Sequence, residues 1–545
     1  MQNQLEQLKI AALTTDRKSL ISIYILCRVL IEIIRQAPED GDEDLSDKLE
    51  EIVYAQLKST DPVSLSSSLI KSSNWNSFAE LLGCMSDKKF LSVSDRFIAD
   101  LEKIPQRVNQ EAAPSVHLLI LGRRYLVLKN YPLDKFEESA DFVKSLAKFF
   151  LSTQNETVKL AYSEVTNQLL LPLAGSLSAE VNHPTWLEAM ETLLKAGKNL
   201  LPDNRYWANG FKLTVSILCA SPPQVFSEHW VNIIESSSNK IKTKKLDDRI
   251  IFAVGISRLV WVYLYRCSDT LNNTTKTLTN LLFLYLNNKK KENWLTTDIE
   301  LLCPLSDALI SIGYLYPNFL VEHTLIPLIK QSFNGTNLEN ISYDKLILAI
   351  KTYKGFVLTN ERPEFPENDN RTYPTGLNNI RSTVNEALTV NNEEICGSVY
   401  KLFLLLDSSI GSEVWSPENY HQKQASTPFG TFSFGFSNDN ESAAQKNSLN
   451  LSLFSTIIET IPCCLAISKN IPYKPIIEIL TRNAVHADNL ISTSCRNALK
   501  ALATKNNAYT FITWFAKYSF DFDEKTQSRY NMSYLTSTEY IALLM

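Results

Sequence analysis

The sequence predicts an all-α fold, an α-solenoid built of HEAT- or armadillo-like helical hairpins. Glycine is scarce, at 15 of 545 residues, whereas a share of about 7% is usual, and so few turn-forming residues disfavour an all-β architecture. Apolar runs with helical spacing follow one another along the chain, separated by short connectors that contain Pro, Asn or Asp. Pairs of these runs recur at intervals of about 40 residues, which is typical of stacked helical hairpins. A globular helical bundle is the alternative.

The stretch from Asp247 to Cys267 predicts the central helix, because it is apolar on nearly every side. Two aspartates at its start and Arg266 in its last turn suit the charges of the helix ends. A helix that is apolar all round belongs to a large core or a membrane. Arg249, Ser257 and Arg258 interrupt the run, which leaves too few consecutive apolar residues to span a bilayer. We therefore expect Trp261 and Tyr265 to be buried and Arg258 to be hydrogen-bonded.

The first half of the chain reads as successive helices punctuated by proline and capping residues. Asp61-Pro62 opens one of them, with Asp61 as N-cap and the proline at the first helical position. Proline ends others, at positions 38, 105 and 172. The predicted helices before the central one cover 18–35, a segment ending near 58, 74–83, 87–104, 116–129, 134–151, 156–171, 185–195, 204–220 and 228–236.

The second half continues in the same way and sets the domain prediction. Its predicted helices cover 271–286, 297–312, 317–330, 343–358, 381–406, 471–484, 490–503 and 508–518, with a Pro- and Asn-rich connection over 362–374. We divide the chain into a helical-repeat region over 1–410, a flexible Ser/Asn/Gly/Phe-rich loop over 411–450, and further repeats over 451–545. The ending Leu543-Leu544-Met545 lacks a polar capping repeat, which predicts a piece of a longer protein.

Composition and motifs disfavour catalysis, metal binding and nucleic-acid binding. The net charge of −5 is too small and of the wrong sign for a nucleic-acid or membrane-surface binder. No nucleotide-binding, hydrolase or metalloprotease motif occurs, and the six histidines are far apart. The nine cysteines form no C-x-x-C pair and lie mostly in apolar runs, which is typical of reduced thiols in an intracellular protein. We therefore expect no catalytic residues, no cofactor, no metal and no membrane span.

Four stretches resemble the N-terminal cell-morphogenesis domain of the Furry family, most closely its fungal members. They are SLISIYILCRVLIEII (Ser19–Ile34), NWNSFAELLGCMSDKKFLSVSDRFIADL (Asn74–Leu101), RLVWVYLYRC (Arg258–Cys267) and LAIKTYKGFVLTNERPEFP (Leu348–Pro366). The resemblance implies a non-catalytic, cytoplasmic scaffold at sites of polarised growth. Its implied partners are an NDR-class kinase and its Mob coactivator, in a pathway that controls polarised growth and cell separation. The alternative is a karyopherin-like transport receptor that binds a small GTPase and FG nucleoporins.

Two groups of side chains are candidates for protein binding. Seven lysines flank the hairpin formed by the central helix and the next helix, and an antiparallel hairpin brings them to one end: Lys240, Lys242, Lys244, Lys245, Lys289, Lys290 and Lys291. They predict a docking patch for an acidic partner, or else ordinary solvated lysines. Four phenylalanines in the predicted loop are available to dock in a groove, or else fold back on the solenoid: Phe429, Phe432, Phe434 and Phe436.

The same loop carries three candidate phosphorylation sites. His421, Lys423 and Ser426 have the spacing H-x-K-x-x-S, which resembles the substrate preference of NDR-class kinases except that Lys stands where Arg is favoured. Ser416 and Thr427 each precede a proline, as proline-directed kinases require. Phosphorylation of Ser426 would add nearly two negative charges beside the phenylalanines and alter their docking. A chance match to a short motif is the alternative.

Overall fold

The computed structural model describes residues 2–36, 43–242, 245–267, 269–286, 295, 297–338, 341–358, 380–411, 438–468, 470–484, 486, 488–504 and 512–513. Within these ranges the regular secondary structure is helical and no strand occurs. The prediction of an all-α solenoid of helical hairpins is confirmed. The chain divides into two compact units, the first built from Met1–Cys267 and the second from the described residues that follow.

The first unit contains twelve described α-helices, and from α5 onward they stack as hairpins. Helix α5 packs on α7, α6 on α8, α7 on α9, α8 on α10 and α10 on α12, and such contacts between a helix and the next but one are typical of stacked repeats. The helices are α1 (Gln2–Gln36), α2 (Glu43–Ser59), α3 (Pro62–Ser67), α4 (Leu69–Ser86), α5 (Phe90–Leu101), α6 (Ala113–Leu121), α7 (Leu133–Ser152), α8 (Glu156–Ala174), α9 (Pro184–Lys198), α10 (Trp207–Cys219), α11 (Pro223–Ser237) and α12 (Leu246–Arg266).

The second unit is a similar array with more irregular turns. Helix α14 packs on α17, and α18 packs on α19. Helix α19 also packs on α17 and α21. Among its described residues, two π-helical turns interrupt the array, at Val321–Leu325 and Asp407–Gly411. The helices are α13 (Leu271–Leu286), α14 (Ile299–Leu315), α15 (Pro317–Leu320), α16 (Ile326–Ser332), α17 (Tyr343–Leu358), α18 (Ile380–Leu406), α19 (Asn438–Ile467), α20 (Tyr473–Asn483) and α21 (Asn489–Ala503).

Capping residues fix several helix starts, including the one that the sequence predicts. The Asp61 carboxylate accepts hydrogen bonds from the backbone N–H groups of Val63 and Ser64, so the predicted N-cap is confirmed. Asn155 and Asp488 cap α8 and α21 in the same way. These side chains satisfy N–H groups that the first turn of a helix leaves without intrahelical partners.

The predicted helix over 116–129 is wrong at its C-terminal end, because α6 stops at Leu121. Beyond Gly122 the chain turns and then runs non-helically. The N–H groups of Val127 and Lys129 donate to the hydroxyls of Ser86 and Ser139, at 3.1 Å and 3.0 Å. Gly83 lets the segment approach α4, because a Cβ there would collide with the Tyr125 carbonyl oxygen. Distant partners thus replace the helical bonds that the local pattern predicts.

Other differences concern helix ends. Helix α1 begins at Gln2 instead of 18, α8 passes Pro172 and ends at Ala174, and α19 begins at Asn438. The predicted loop boundary at 450 is therefore wrong. The predicted connection over 362–374 and most of the predicted helix over 508–518 lie outside the described residues.

Candidate protein-binding surfaces

A ladder of polar contacts joins α2 to α5 in the first unit. Residues of α2 spaced by three or four positions lie on one side of that helix and meet partners along α5 and the turn before it. The contacts are Asp47 with Lys89 at 3.0 Å, Glu50 with Arg96 at 2.5 Å, Tyr54 with Asp100 at 2.7 Å, and Lys58 with Asp100 at 2.8 Å. Glu50 and Asp100 are buried, so the ladder holds charged groups at an otherwise apolar interface.

Asp100 stands at the end of this ladder, where a cleft of about 360 Å³ opens. Burial alone would raise the pKa of its carboxyl group, but hydrogen bonds from Lys58, Tyr54 and Lys103 lower that pKa to about 2. Arg107 also lines the cleft and donates to Gln154 at 2.9 Å. Lys58 and Lys103 are thus paired with Asp100, Arg107 is bound to a neutral amide, and together they make a rim that suits contact with a polar partner surface more than chemistry.

Arg123 lies deeper in the first unit and is fully buried. Its guanidinium carbon is 5.1 Å from the centre of the Phe97 ring. Within the described part of the chain, its nitrogens make no hydrogen bond of ordinary geometry, although the hydroxyl of the buried Tyr162 lies close enough to interact with the guanidinium. Burial lowers the pKa of Arg123, while the nearby Tyr162 and Tyr54 side chains oppose that effect. The arginine is held by aromatic surroundings and not by a carboxylate.

Helix α12 spans Leu246–Arg266 and is the core element predicted from the sequence. Trp261 is 2% exposed, which confirms its predicted burial, and Arg258 is also buried. Tyr265 is only half-buried, so that prediction is wrong: its ring packs 5.4 Å from the Trp261 ring at the rim of the core.

Arg266, at the end of α12, joins the C-termini of three helices. Its guanidinium donates to the carbonyl oxygens of Cys219, the last residue of α10, and Ala174, the last residue of α8. The last carbonyls of a helix have no intrahelical partners and carry partial negative charge. The arginine therefore satisfies these groups and fixes the register of successive hairpins.

The predicted lysine patch is only partly within the described structure. Lys240 is 6% exposed, donates to Asn204 Oδ1 at 2.7 Å, and its Nζ lies 4.8 Å from the Trp207 ring centre. Including Lys240 in an exposed patch is therefore wrong, since its ammonium is taken up by α10 and the turn before it. Lys245 is exposed at the start of α12. The remaining members lie outside the described residues or have undescribed side chains: Lys242, Lys244, Lys289, Lys290 and Lys291.

The predicted loop sites also lie outside the described residues. This holds for the four docking phenylalanines and the three phosphorylation candidates, namely Phe429, Phe432, Phe434, Phe436, Ser416, Ser426 and Thr427. They stay predictions.

Helix α1 carries an exposed apolar surface that the sequence reading missed. Five aliphatic side chains on it are between 48% and 56% exposed: Ile21, Ile25, Leu26, Val29 and Ile33. The signal was present, because residues 21, 25, 29 and 33 recur every fourth position beside the run that contains Cys27 and Ile31. A helix with two apolar faces needs two partners, and the apolar run alone does not show which of its faces is covered.

The described residues contain no metal-binding cluster and no disulfide. Within the described ranges, no three His, Cys, Asp or Glu side chains are placed to hold a metal ion. The nine cysteines, all described, form no disulfide. One stretch, Lys446–Leu465 in α19, is long and apolar enough to cross a membrane, but 67% of it is buried inside the structure, as in a core helix of a helical array.

The family model and the similar proteins found for this chain agree on one family. Residues 16–545 match a family model described as "Cell morphogenesis N-terminal". The chain is 69% identical over 546 residues to "Cell morphogenesis protein PAG1" of Saccharomyces cerevisiae, covering 100% of this chain and 23% of that protein. It is 33% identical over 342 residues to "Cell polarity protein mor2" of Schizosaccharomyces pombe, covering 62% of this chain and 15% of that protein. The match spans less than a quarter of either relative.

Proposed function

Because the chain belongs to the cell morphogenesis N-terminal family of Furry-like proteins, we propose that it is a non-catalytic scaffold of a morphogenesis pathway. Its proposed partners are an NDR-class kinase and its Mob coactivator, and its proposed place is the cytoplasm at sites of polarised growth. The pathway controls polarised growth and cell separation.

The observation that carries the proposal is the similarity, along the whole chain, to a relative named for cell morphogenesis. The structure supports it in two ways. Stacked helical hairpins offer extended surfaces to other proteins. The charged groups that lie buried serve the fold, as the ladder between α2 and α5 and the Arg266 contacts illustrate. The karyopherin-like alternative is not favoured, since both relatives are named for morphogenesis or polarity.

Titration of the purified 545-residue chain with a purified NDR-class kinase–Mob complex tests the proposal. We expect saturable binding by the complex and none by a Ran-type GTPase, which serves as the control for the transport alternative. Absence of binding to kinase, Mob and their complex, with the chain folded by circular dichroism, contradicts the proposed partners.

The lysines around α12 can be tested in the same titration. Charge reversal at Lys244 and Lys245 should weaken a docking contact, and more so at low salt. Lys48 and Lys71 are exposed lysines on α2 and α4, so Lys48→Glu with Lys71→Glu is a control of equal charge change. Equal affinities for both double variants at low salt would leave the lysines near α12 as ordinary solvated groups.

A further inference from the structure

Helix α1 is apolar on two sides, and the described residues of the chain cover one of them. The covered side contains Cys27 and Ile31, which are buried, and α1 packs on α4. Polar contacts fix that packing: Asn74 Nδ2 donates to the Leu20 carbonyl at 2.9 Å, and Glu80 pairs with Arg28 and Arg35 at 2.5 Å and 3.2 Å. This side of α1 is therefore committed to its own chain.

The other side carries the outward stripe, which we define as Ile21, Ile25, Leu26, Val29 and Ile33. Each of these side chains is about half exposed, and their spacing of three and four residues places them along one side of the helix. A contiguous exposed group of large aliphatic side chains marks an interaction surface more often than isolated ones do. The stripe has the form of one half of a helix–helix contact.

Charges at the two ends of the stripe identify its partner. Lys18 is exposed one turn before Ile21, and Glu32 is exposed beside Ile33. Glu32 is paired at 2.8 Å with Arg35 of its own helix, but this pair is open to solvent, and such pairs contribute little. If a second copy of α1 lies antiparallel along the stripe, the Lys18 end of one copy lies beside the Glu32 end of the other. A parallel arrangement would instead place like charges together.

We propose that the outward stripe of α1 binds the same stripe of a second copy of this chain, in an antiparallel and two-fold symmetric pair. Such a contact is self-complementary, as closed dimers of identical chains require. The five aliphatic side chains of the stripe from each copy form its apolar centre, and the Lys18–Glu32 pairs close its two ends. This inference concerns self-association and is independent of the proposed kinase and Mob partners.

Analytical ultracentrifugation of the 545-residue chain tests the pairing. One copy has a mass of 61.8 kDa, and we expect a concentration-dependent shift towards twice that mass. The double variant Ile25→Glu with Val29→Glu should be monomeric over the same range, because each copy would place charges at the centre of the contact. Leu91→Glu, which replaces an exposed apolar residue of α5, is the matched control and should pair as the wild type does.

A charge exchange tests the antiparallel orientation. Lys18→Glu alone and Glu32→Lys alone should each weaken pairing, because like charges then meet at both ends. The double variant Lys18→Glu with Glu32→Lys should restore it. All substituted residues are exposed, so the variants are expected to fold, and circular dichroism checks this.

Three results would overturn the proposal. A wild-type chain that stays monomeric at every concentration shows that the stripe does not pair with a second copy. A dimer that survives Ile25→Glu with Val29→Glu shows that pairing uses another surface. A double charge variant as weak as the single ones removes the antiparallel arrangement and with it the argument for a second copy.

Discussion

Arg123 in the first unit and Arg482 in the second are both buried guanidinium groups, but their surroundings differ. Arg482 Nη2 donates to both carboxylate oxygens of Asp407, and Asn483 Nδ2 donates to the same carboxylate at 2.9 Å. Arg123 lies over the Phe97 ring instead, and among the described residues no carboxylate reaches hydrogen-bonding distance of it.

The comparison separates two ways of keeping a charge inside a helical array. A buried ion pair needs both members, since loss of one leaves an uncompensated charge in a medium of low dielectric constant. A cation over an aromatic face leaves no charged partner behind when it is removed. The second unit should therefore be sensitive to single substitutions at its arginine site, and the first unit tolerant.

The largest loss of stability is expected for Asp407→Ala, which leaves Arg482 charged and buried. We expect a loss of about 3–5 kcal/mol in the free energy of unfolding. Hydrogen exchange should locate the loss, with amides of α18 and α20 exchanging at least about 100-fold faster, while amides of α7 and α8 in the first unit stay unchanged.

The double variant Asp407→Leu with Arg482→Met is the control for this site, because it removes both charges together. It should be close to wild type or more stable. If Asp407→Ala costs less than about 1 kcal/mol, the pair is not the determinant we take it for, and the contrast with Arg123 disappears.

An intermediate loss of stability is expected for Asp100→Asn. Asp100 lies near Arg123 but has its own partners. Its pKa is lowered from 3.8 to about 2 in the folded chain. The resulting stabilisation is about 2 kcal/mol. It is complete above the unfolded pKa near 4 and is lost as the pH falls towards 2. Thermal melts of wild type and Asp100→Asn should differ at pH 6 and converge near pH 2. Asp95→Asn, at an exposed carboxylate of the same helix, should show no such convergence.

These sites also show which features of the structure the sequence predicts. The sequence predicts both ends of α12 to within one residue and both ends of α17 at the correct residue. It also predicts Asp61 as an N-cap. These features depend on apolar spacing, N-terminal aspartates and the Asp-Pro pair, which are local signals. The burial of Lys240 was missed because its partners Asn204 and Trp207 are more than thirty positions away. Local patterns report which residues form helices, whereas the partner of a charged side chain depends on how distant helices pack.

The exposed side of α1 was missed for the same reason. The apolar run 20–34 predicts a buried helix equally well whether one or two neighbours cover it. Only the structure shows that α4 covers one side and leaves Ile25 and Val29 half exposed.

The smallest effect is expected for Arg123→Met, although this residue is the more deeply buried of the two arginines. Methionine is unbranched and fills irregular apolar space, and Asp100 keeps Lys58 and Lys103 as partners. The interaction with Phe97 is lost, at about 2 kcal/mol or less, but so is the cost of burying a charge, which is of similar size or larger after relaxation. The free energy of unfolding should therefore change by no more than about 1 kcal/mol in either direction.

The variant Arg123→Lys tests whether the site needs the charge or the planar group, because it keeps the charge but removes the planar group that stacks on the ring. Since an ammonium is more strongly hydrated, Arg123→Lys should be less stable than Arg123→Met in thermal melts. The opposite order would show that the site requires a positive charge, and that a carboxylate acts on it as Asp407 acts on Arg482.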